Sequence, residues 1–261
     1  MHPMSHEPLL DDAHFAASAC HNCGESLATP YCASCGQKRA ERFRLRTIAS
    51  EAWDKLRLFD FDTLRAIART LVAPGTVARE FVLGARKRHP HPLKLLLIAI
   101  GLLLLVLARS RHLDSRDATV GQAMSLMQSY AQWSFSIGIV AILAASLLAY
   151  RRRGGYNFTE HLVLAIYTHF LVILASILSL LPKLVWRSPE FLAMHRSWSG
   201  WGMGVIEMMI VALAFTQFFR LDWRRDGASL LIATLAFAGI KWLLLQIYAW
   251  LLVKAVMASS G

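Results

Sequence analysis

The sequence predicts a mainly α-helical protein that crosses a membrane several times and carries a small cysteine-rich module ahead of its first span. Of its 261 residues, 56% are hydrophobic and 17% are charged, against roughly 45–50% and 25% in an ordinary soluble domain. The apolar excess begins at Leu93, after which apolar runs alternate with short basic loops. All four cysteines lie before this region, between residues 20 and 35.

The cysteines form two Cys-x-x-Cys pairs, each followed by glycine and separated by eight residues. Such a turn can direct two thiolates at one ion, and two turns complete a closed tetrahedral site of the structural type. We therefore interpret residues 18–40 as a zinc ribbon with one structural zinc ion, whose ligands are Cys20, Cys23, Cys32 and Cys35. A redox pair and an iron–sulfur cluster are the alternatives. A redox Cys-x-x-Cys usually lies near a βαβ pattern, which this sequence lacks. An iron–sulfur cluster also takes four thiolates, but paired turns with glycines fit zinc better.

The N-terminal segment is expected to stay in the cytosol. Residues 1–17 are predicted to be disordered, and they lack the basic region and apolar core of a signal peptide. The first long apolar run starts after residue 90. A reducing compartment also disfavours disulfides between the four cysteines.

Residues 43–91 are predicted to form amphipathic juxtamembrane helices. Apolar residues recur at helical spacing over 45–59 and again over 64–72. Pro74-Gly75 interrupts the pattern, and a further short helix is expected to end at Gly84. A basic cluster, Arg86-Lys87-Arg88, then precedes the first apolar run.

The transmembrane domain is predicted over residues 92–257 with five helices, since a span needs about 20 apolar residues. The basic cluster before the first span favours a cytosolic N-terminus and an outer C-terminus. The expected spans are about 92–108, 133–150, 161–181, 201–219 and 228–253.

Ionisable residues inside predicted spans suggest function by default. His169, Glu207 and Lys241 form such a set, and Glu207 and Lys241 lie on consecutive antiparallel spans. One interpretation is an ion pair that stabilises helix packing, which we favour. The other is a proton or ion path. Glu160 and His161 open the third span and are interpreted as an interfacial pair.

The net charge of +11 raises the question of nucleic-acid binding. Many basic residues flank apolar runs, however, where they orient spans and contact anionic headgroups. Nucleic acid is therefore an unlikely partner. No metalloprotease, nucleophile-elbow, phosphate-loop or dinucleotide motif is present, so we expect no enzymatic activity.

Several features between residues 18 and 108 recur together in a known family. They are the four cysteines, Asp62-Thr63, the run from Pro74 to Phe81, Gly84, Arg86, Arg88 and Pro92. In these the chain resembles the domain-of-unknown-function 3667 family, bacterial proteins with an N-terminal zinc ribbon and several transmembrane helices. Where members commonly carry an aromatic residue before the first span, this chain has His89 and His91. The resemblance implies a bacterial inner-membrane location and no known reaction.

The sequence thus favours a non-enzymatic integral membrane protein. Its cytosolic ribbon would dock a protein partner, and its spans would anchor or scaffold an assembly in the lipid bilayer. One alternative is a transporter or channel component that uses His169, Glu207 and Lys241. Another is a membrane-tethered nucleic-acid binder that acts through the ribbon and the basic residues after it.

Overall fold

The computed structural model describes residues 10–45, 61–110, 136–186 and 188–259. Within these ranges the chain is mainly helical, and its β-structure consists of the isolated antiparallel bridges Ala19–Ser26 and Tyr31–Lys38. The helices are α1 Asp12–Phe15, α2 Phe61–Val72, α3 Pro74–Val82, α4 Pro92–Ser110, α5 Ser136–Tyr150, α6 Phe158–Leu180, α7 Pro182–Val185, α8 Pro189–Phe218 and α9 Trp223–Ser259.

Four helical stretches in the described part of the chain are long and apolar enough to cross a membrane: Pro92–Arg109, Phe158–Val185, Trp201–Phe218 and Trp223–Leu251. The fold class expected from the sequence is therefore confirmed. Helix α5 is apolar but shorter, and the span predicted at 133–150 begins before the described residues resume. The count of five spans stays a prediction.

Helix α6 lies at the centre of the helical domain and packs against α3, α4 and α8. Residues 159–173 of this helix are buried except Leu162, so other parts of the protein cover this stretch of the helix. A capping box starts the helix: Asn157 Oδ1 accepts from the Glu160 N–H at 3.0 Å, and Glu160 Oε2 accepts from the Asn157 N–H at 2.7 Å. This arrangement satisfies two N–H groups at the start of the helix.

Helices α5 and α6 meet through small residues that face histidines. Ser146 Oγ lies 3.0 Å from His161 Nδ1, and the ring of His169 lies against Gly138, where a Cβ would collide with it. These contacts are eight residues apart on both helices, or about 12 Å along the axis. The two helices therefore run antiparallel in a defined register.

Helix α3 begins where the Pro74-Gly75 turn packs directly onto α8. The Gly75 N–H donates to Gln217 Oε1 at 3.0 Å, and Gln217 Nε2 donates to the Val72 carbonyl at 3.3 Å. A Cβ on Gly75 would strike the Ala214 carbonyl oxygen. One glutamine thus joins the end of α2 and the start of α3 to α8.

The N-terminal segment differs in part from its prediction. Disorder is predicted over residues 1–17, yet in the part that the structure describes Asp12–Phe15 is helical and Leu10 and Phe15 are buried. The Leu10 N–H donates to the Gly154 carbonyl at 2.9 Å. Long-range packing of two apolar side chains orders a segment whose local composition favours no structure. Most of the amphipathic helix predicted at 45–59 lies outside the described residues.

Candidate metal centre and its attachment to the helical domain

The four cysteine sulfurs converge on one point. All four Sγ atoms lie within 4.8 Å of one another, with Cys20 Sγ 3.7 Å from Cys35 Sγ and Cys23 Sγ 3.5 Å from Cys32 Sγ. Thiolates placed tetrahedrally at 2.3 Å from a zinc-sized ion are separated by about 3.8 Å. The cluster therefore has the size of a four-coordinate site and could hold one metal ion.

Each cysteine pair sits in the same tight turn. The Cys20 N–H donates to the Glu25 carbonyl at 2.7 Å, and the Gly24 N–H donates to the Cys20 carbonyl at 2.8 Å. Gly24 has φ +82° and its counterpart Gly36 has φ +68°, a conformation in which a side chain is strained. The second turn repeats both bonds with Cys32, Gly36 and Gln37.

The thiols influence one another's acidity. For Cys35, burial raises the pKa, but the backbone N–H of Gln37 and hydrogen bonds from the other three thiols lower it to about 6. For Cys23, the backbone N–H of Glu25 lowers the pKa, but burial and the same three-way thiol contacts raise it to about 12. Several thiolates this close together repel one another, so a cation bound between them would favour their ionised forms.

The ribbon is held against the helical domain by the loop Gly84–Arg88, here called the 84–88 loop. Gln37 is 8% exposed and makes three bonds to this loop. Its Nε2 donates to the Gly84 carbonyl at 2.8 Å, and its Oε1 accepts from the N–H groups of Arg86 and Lys87 at 3.0 and 2.9 Å. A buried amide with its oxygen and nitrogen both bonded is costly to displace.

Gly84 allows the loop to approach the ribbon. It has φ +108°, and a Cβ there would lie 2.9 Å from Ala40 Cβ and 3.0 Å from His21 Cβ. His14 Nε2 also lies 3.0 Å from the neighbouring Leu83 carbonyl. The expected helix-ending glycine therefore also forms the contact between helix α3 and the ribbon.

A second attachment joins the segment after the ribbon to the start of α6. Arg42 Nε donates to Glu160 Oε1 at 3.1 Å, and Arg42 Nη2 donates to the Gly155 carbonyl at 2.6 Å. Glu160 is fully buried. The interpretation of Glu160 and His161 as an interfacial pair is therefore wrong in its partners: Glu160 pairs with Arg42, and His161 with Ser146.

Aromatic rings connect these two attachments. The Arg86 guanidinium lies 3.7 Å from the Phe43 ring centroid, and Phe43 stacks on Phe81 at 5.4 Å. The Phe81 ring also meets Tyr167 and His91 edge-on, each at 5.8 Å. His91 thus takes part in an edge-on ring contact just before helix α4.

His89 belongs to a small charged cluster beneath the loop. Its Nε2 lies 2.7 Å from Glu80 Oε2, while Arg69 donates to Glu80 Oε1 at 2.7 Å. Burial lowers the pKa of His89, and the hydrogen bond to Glu80 opposes that shift only in part. The imidazole is therefore held neutral at neutral pH.

Of the ionisable set predicted inside the spans, the structure brings two members together. Lys241 Nζ on α9 forms an ion pair with a carboxylate oxygen of Glu207 on α8. The side chains are 25% and 10% exposed. His169 is buried on α6 against Gly138. An adjacent ion pair between neighbouring helices fits the packing interpretation better than an open ion path.

Sequence reasoning gave Gln37 no role. It interpreted Arg42 as one of the basic residues that could contact phosphate or headgroups, and it used Glu80 only as part of the run from Pro74 to Phe81. The capping box at Asn157 and Glu160 has a readable four-residue pattern, but the partner of Glu160 lies 118 residues away. Gln37 follows the second cysteine pair as an ordinary polar residue. Neither Gln37 nor Arg42 carries a local sequence signal of its contact.

Fold and site together define a mainly α-helical protein with several helices able to cross a membrane and a four-cysteine cluster able to hold a metal ion. Residues 62–104 match the family model described as Protein of unknown function (DUF3667), the same family that the sequence resembles. The match spans most of α2, all of α3, the 84–88 loop and the first part of α4. The ribbon precedes it. No curated protein and no solved structure matches the chain.

Proposed function

We propose that this chain is a non-enzymatic protein of the bacterial inner membrane whose cytosolic zinc ribbon docks a protein partner. Its spans anchor the resulting assembly in the bilayer. The observation that carries the proposal is the seating of the ribbon: Gln37 binds the 84–88 loop, and Arg42, just after the ribbon, binds the start of α6. A partner bound to the ribbon would then have a defined position relative to the membrane helices.

The seating leaves one side of the ribbon for a partner. Residues 28–31, between the two cysteine pairs, are exposed, and Tyr31 with 60% exposure is the largest side chain among them. Exposed tyrosines are common at the centres of protein interfaces, because they bury much area with little conformational freedom to lose. The 84–88 loop contacts the ribbon elsewhere, at Asn22, Cys35 and Gln37.

The basic residues that follow the second cysteine pair favour a protein partner over a nucleic acid, because two of them bind the protein itself. Arg42 is paired with Glu160, and Arg39 donates to the Leu27 carbonyl at 3.3 Å. Phosphate binding needs several cations free on one face. Lys38 and Arg44 are exposed, and Arg46 lies outside the described residues.

Zinc is the ion we propose for the cluster. Four thiolates at tetrahedral spacing form a closed site with no open position, as in structural zinc modules. Elemental analysis of the purified chain should give one zinc per chain, and Cys32→Ser should lose it. Iron, or no metal, would contradict the assignment.

The docking role is tested by purification in mild detergent from the native host. We expect a protein partner in stoichiometric amount with the wild type and its loss with Tyr31→Ser. Ala17→Ser, a change at an exposed residue outside the 28–31 surface, is the control and should keep the partner. Purification without any stoichiometric partner, or equal recovery with Tyr31→Ser, would argue against the proposal.

A further inference from the structure

The four-cysteine cluster would concentrate negative charge when it holds a metal ion. Four thiolates around a divalent ion leave a net charge of −2. Cys20 and Cys32 are 3% and 2% exposed, so water cannot solvate all of this charge. Buried charge is costly unless N–H groups or opposite charges face it.

Two positive side chains of the 84–88 loop, Lys87 and Arg88, lie beside the two cysteine pairs. Lys87 Nζ donates to the carbonyl of Cys35, and it lies 3.1 Å from where a Cβ on Gly36 would stand. The Arg88 guanidinium donates to the carbonyl of Asn22, which stands between Cys20 and Cys23. Each cysteine pair thus has one positive side chain beside it.

The loop's position does not depend on these two side chains alone. Gln37 binds the backbone at Gly84, Arg86 and Lys87, and the Arg88 N–H donates to Asn22 Oδ1 at 3.2 Å. Removing the charges of Lys87 and Arg88 therefore leaves the main-chain contacts of the loop in place. The effect of charge can be measured separately from the effect of docking.

We propose that Lys87 and Arg88 are part of the metal centre, as outer cations that stabilise the metal–thiolate charge and raise metal affinity. The ligands come from the ribbon, while these cations come from the segment that matches the DUF3667 model. The helical domain thereby completes the metal centre. Because such coupling is reciprocal, metal binding in turn strengthens the contact between ribbon and helices.

The test uses the full chain in detergent, loaded with zinc and titrated with a chelator. The double variant Lys87→Met, Arg88→Met keeps the apolar stems and removes both charges. We expect about tenfold weaker zinc binding, the lower end of the range for outer-shell partners. Lys87→Arg with Arg88→Lys keeps the charges and should bind zinc nearly as the wild type does. Arg151→Gln with Arg152→Gln, an equal charge loss at two exposed residues after α5, is the matched control and should also bind normally.

Two results would overturn the proposal. One is wild-type zinc affinity in the Met variant, and the other is an equal loss in the charge-retaining variant. The single variants Lys87→Met and Arg88→Met give the same decision with less disturbance to folding. Salt provides an independent readout, because charges are screened within about 3 Å at 1 M. The difference between wild type and the Met variant should shrink at high salt, and a salt-independent difference would contradict a role of charge.

Discussion

At Gly75 the backbone of α3 packs directly against the backbone of α8. The Ala214 carbonyl, Gln217 Cβ and the Phe218 nitrogen all lie where a side chain on Gly75 would begin. The requirement is steric, since Gly75 has ordinary helical φ and begins the helix beside Pro74. The Pro74-Gly75 pair thus serves helix initiation through proline and close approach through glycine.

Gly75→Ala should destabilise the helical domain by about 1–3 kcal/mol, the usual cost of overpacking. Thermal unfolding in detergent, followed by circular dichroism, measures the change. The control is Gly101→Ala in α4, where nothing lies within 4 Å of an added Cβ. That variant should be unchanged or slightly more stable, because alanine favours helix by up to about 1 kcal/mol. Equal behaviour of the two variants would show that α3 does not pack on α8 as described.

Glu207 and Lys241 provide the second residue-scale prediction. Glu207→Gln leaves Lys241 without its counter-charge, and we expect a loss of about 1–3 kcal/mol, below the cost of breaking a fully buried pair. Adding Lys241→Met should recover part of the loss, because replacing both partners is often nearly neutral. Detergent unfolding of the two single variants and the double variant measures the coupling. A double variant whose loss equals the sum of the single losses would show that the two side chains are energetically independent.

At the scale of elements, the ribbon and the helical domain form one interface. Gln37 and Arg42 belong to the N-terminal segment, while their partners lie in the 84–88 loop and at the start of α6. Loss of the contacts made by residues 37–42 would leave Glu160 buried without Arg42 and the Gly84 carbonyl without Gln37. The stability of these elements is therefore linked.

Removing the metal, or replacing Cys32 by serine, should unfold the ribbon and lower the melting temperature of the helices without abolishing their helicity. Small metal modules lose most of their folding free energy with the ion, and the helical domain loses the contacts just described. Circular dichroism during chelation and reloading with zinc measures both effects. An unchanged melting temperature for the helices after chelation would mean that the ribbon is an independent appendage.

His89 gives the contact between α3 and its following loop a pH dependence. Burial holds its folded-state pKa below the ordinary value of 6.5, so the folded protein keeps the imidazole neutral. Glu80, Arg69 and Arg88 are the charged groups that act on it. In the unfolded chain His89 takes up a proton near pH 6.5, whereas in the folded protein it does so only at lower pH. As the pH falls below 6.5 the unfolded state therefore gains protons first, and the folded state loses stability.

His89→Gln should therefore lose less stability than the wild type between pH 7 and pH 5. The glutamine amide can still donate to Glu80 but does not titrate. Unfolding midpoints in detergent at several pH values measure the difference. Parallel pH profiles for the two proteins would place the acid sensitivity elsewhere.

At the scale of the whole molecule, helix α6 is the centre around which the other elements are arranged. Helices α3, α4 and α8 pack on it, and α9 adds to the outside through α8. Helix α9 exposes much apolar surface, including Leu231, Trp242 and Trp250. A lipid environment is where such a surface is stable.

Topology is the prediction at this scale. The basic cluster before α4 favours a cytosolic N-terminus, and five crossings would place the C-terminus outside. Reporter fusions at both ends measure this directly. An active cytosolic reporter at the C-terminus would mean that an even number of helices cross, as would occur if the short helix α5 does not span.

The sequence by itself determined the class of the protein, the four-cysteine cluster and the family segment. These depend on local properties: apolar runs of span length, Cys-x-x-Cys spacing, and the run from Pro74 to Phe81. Short connections between predicted spans also placed Glu207 and Lys241 on neighbouring helices, because an eight-residue link between apolar runs leaves few arrangements.

Only the tertiary structure decided how the ribbon sits on the helices. The contacts of Arg42 with Glu160 and of Gln37 with the 84–88 loop join residues 118 and 47–50 positions apart. Ordinary polar residues acquire these roles when three separate elements pack together, and no local pattern encodes that meeting. The order of residues 10–17 has the same origin, since Leu10 and Phe15 become buried only against parts of the chain that fold elsewhere.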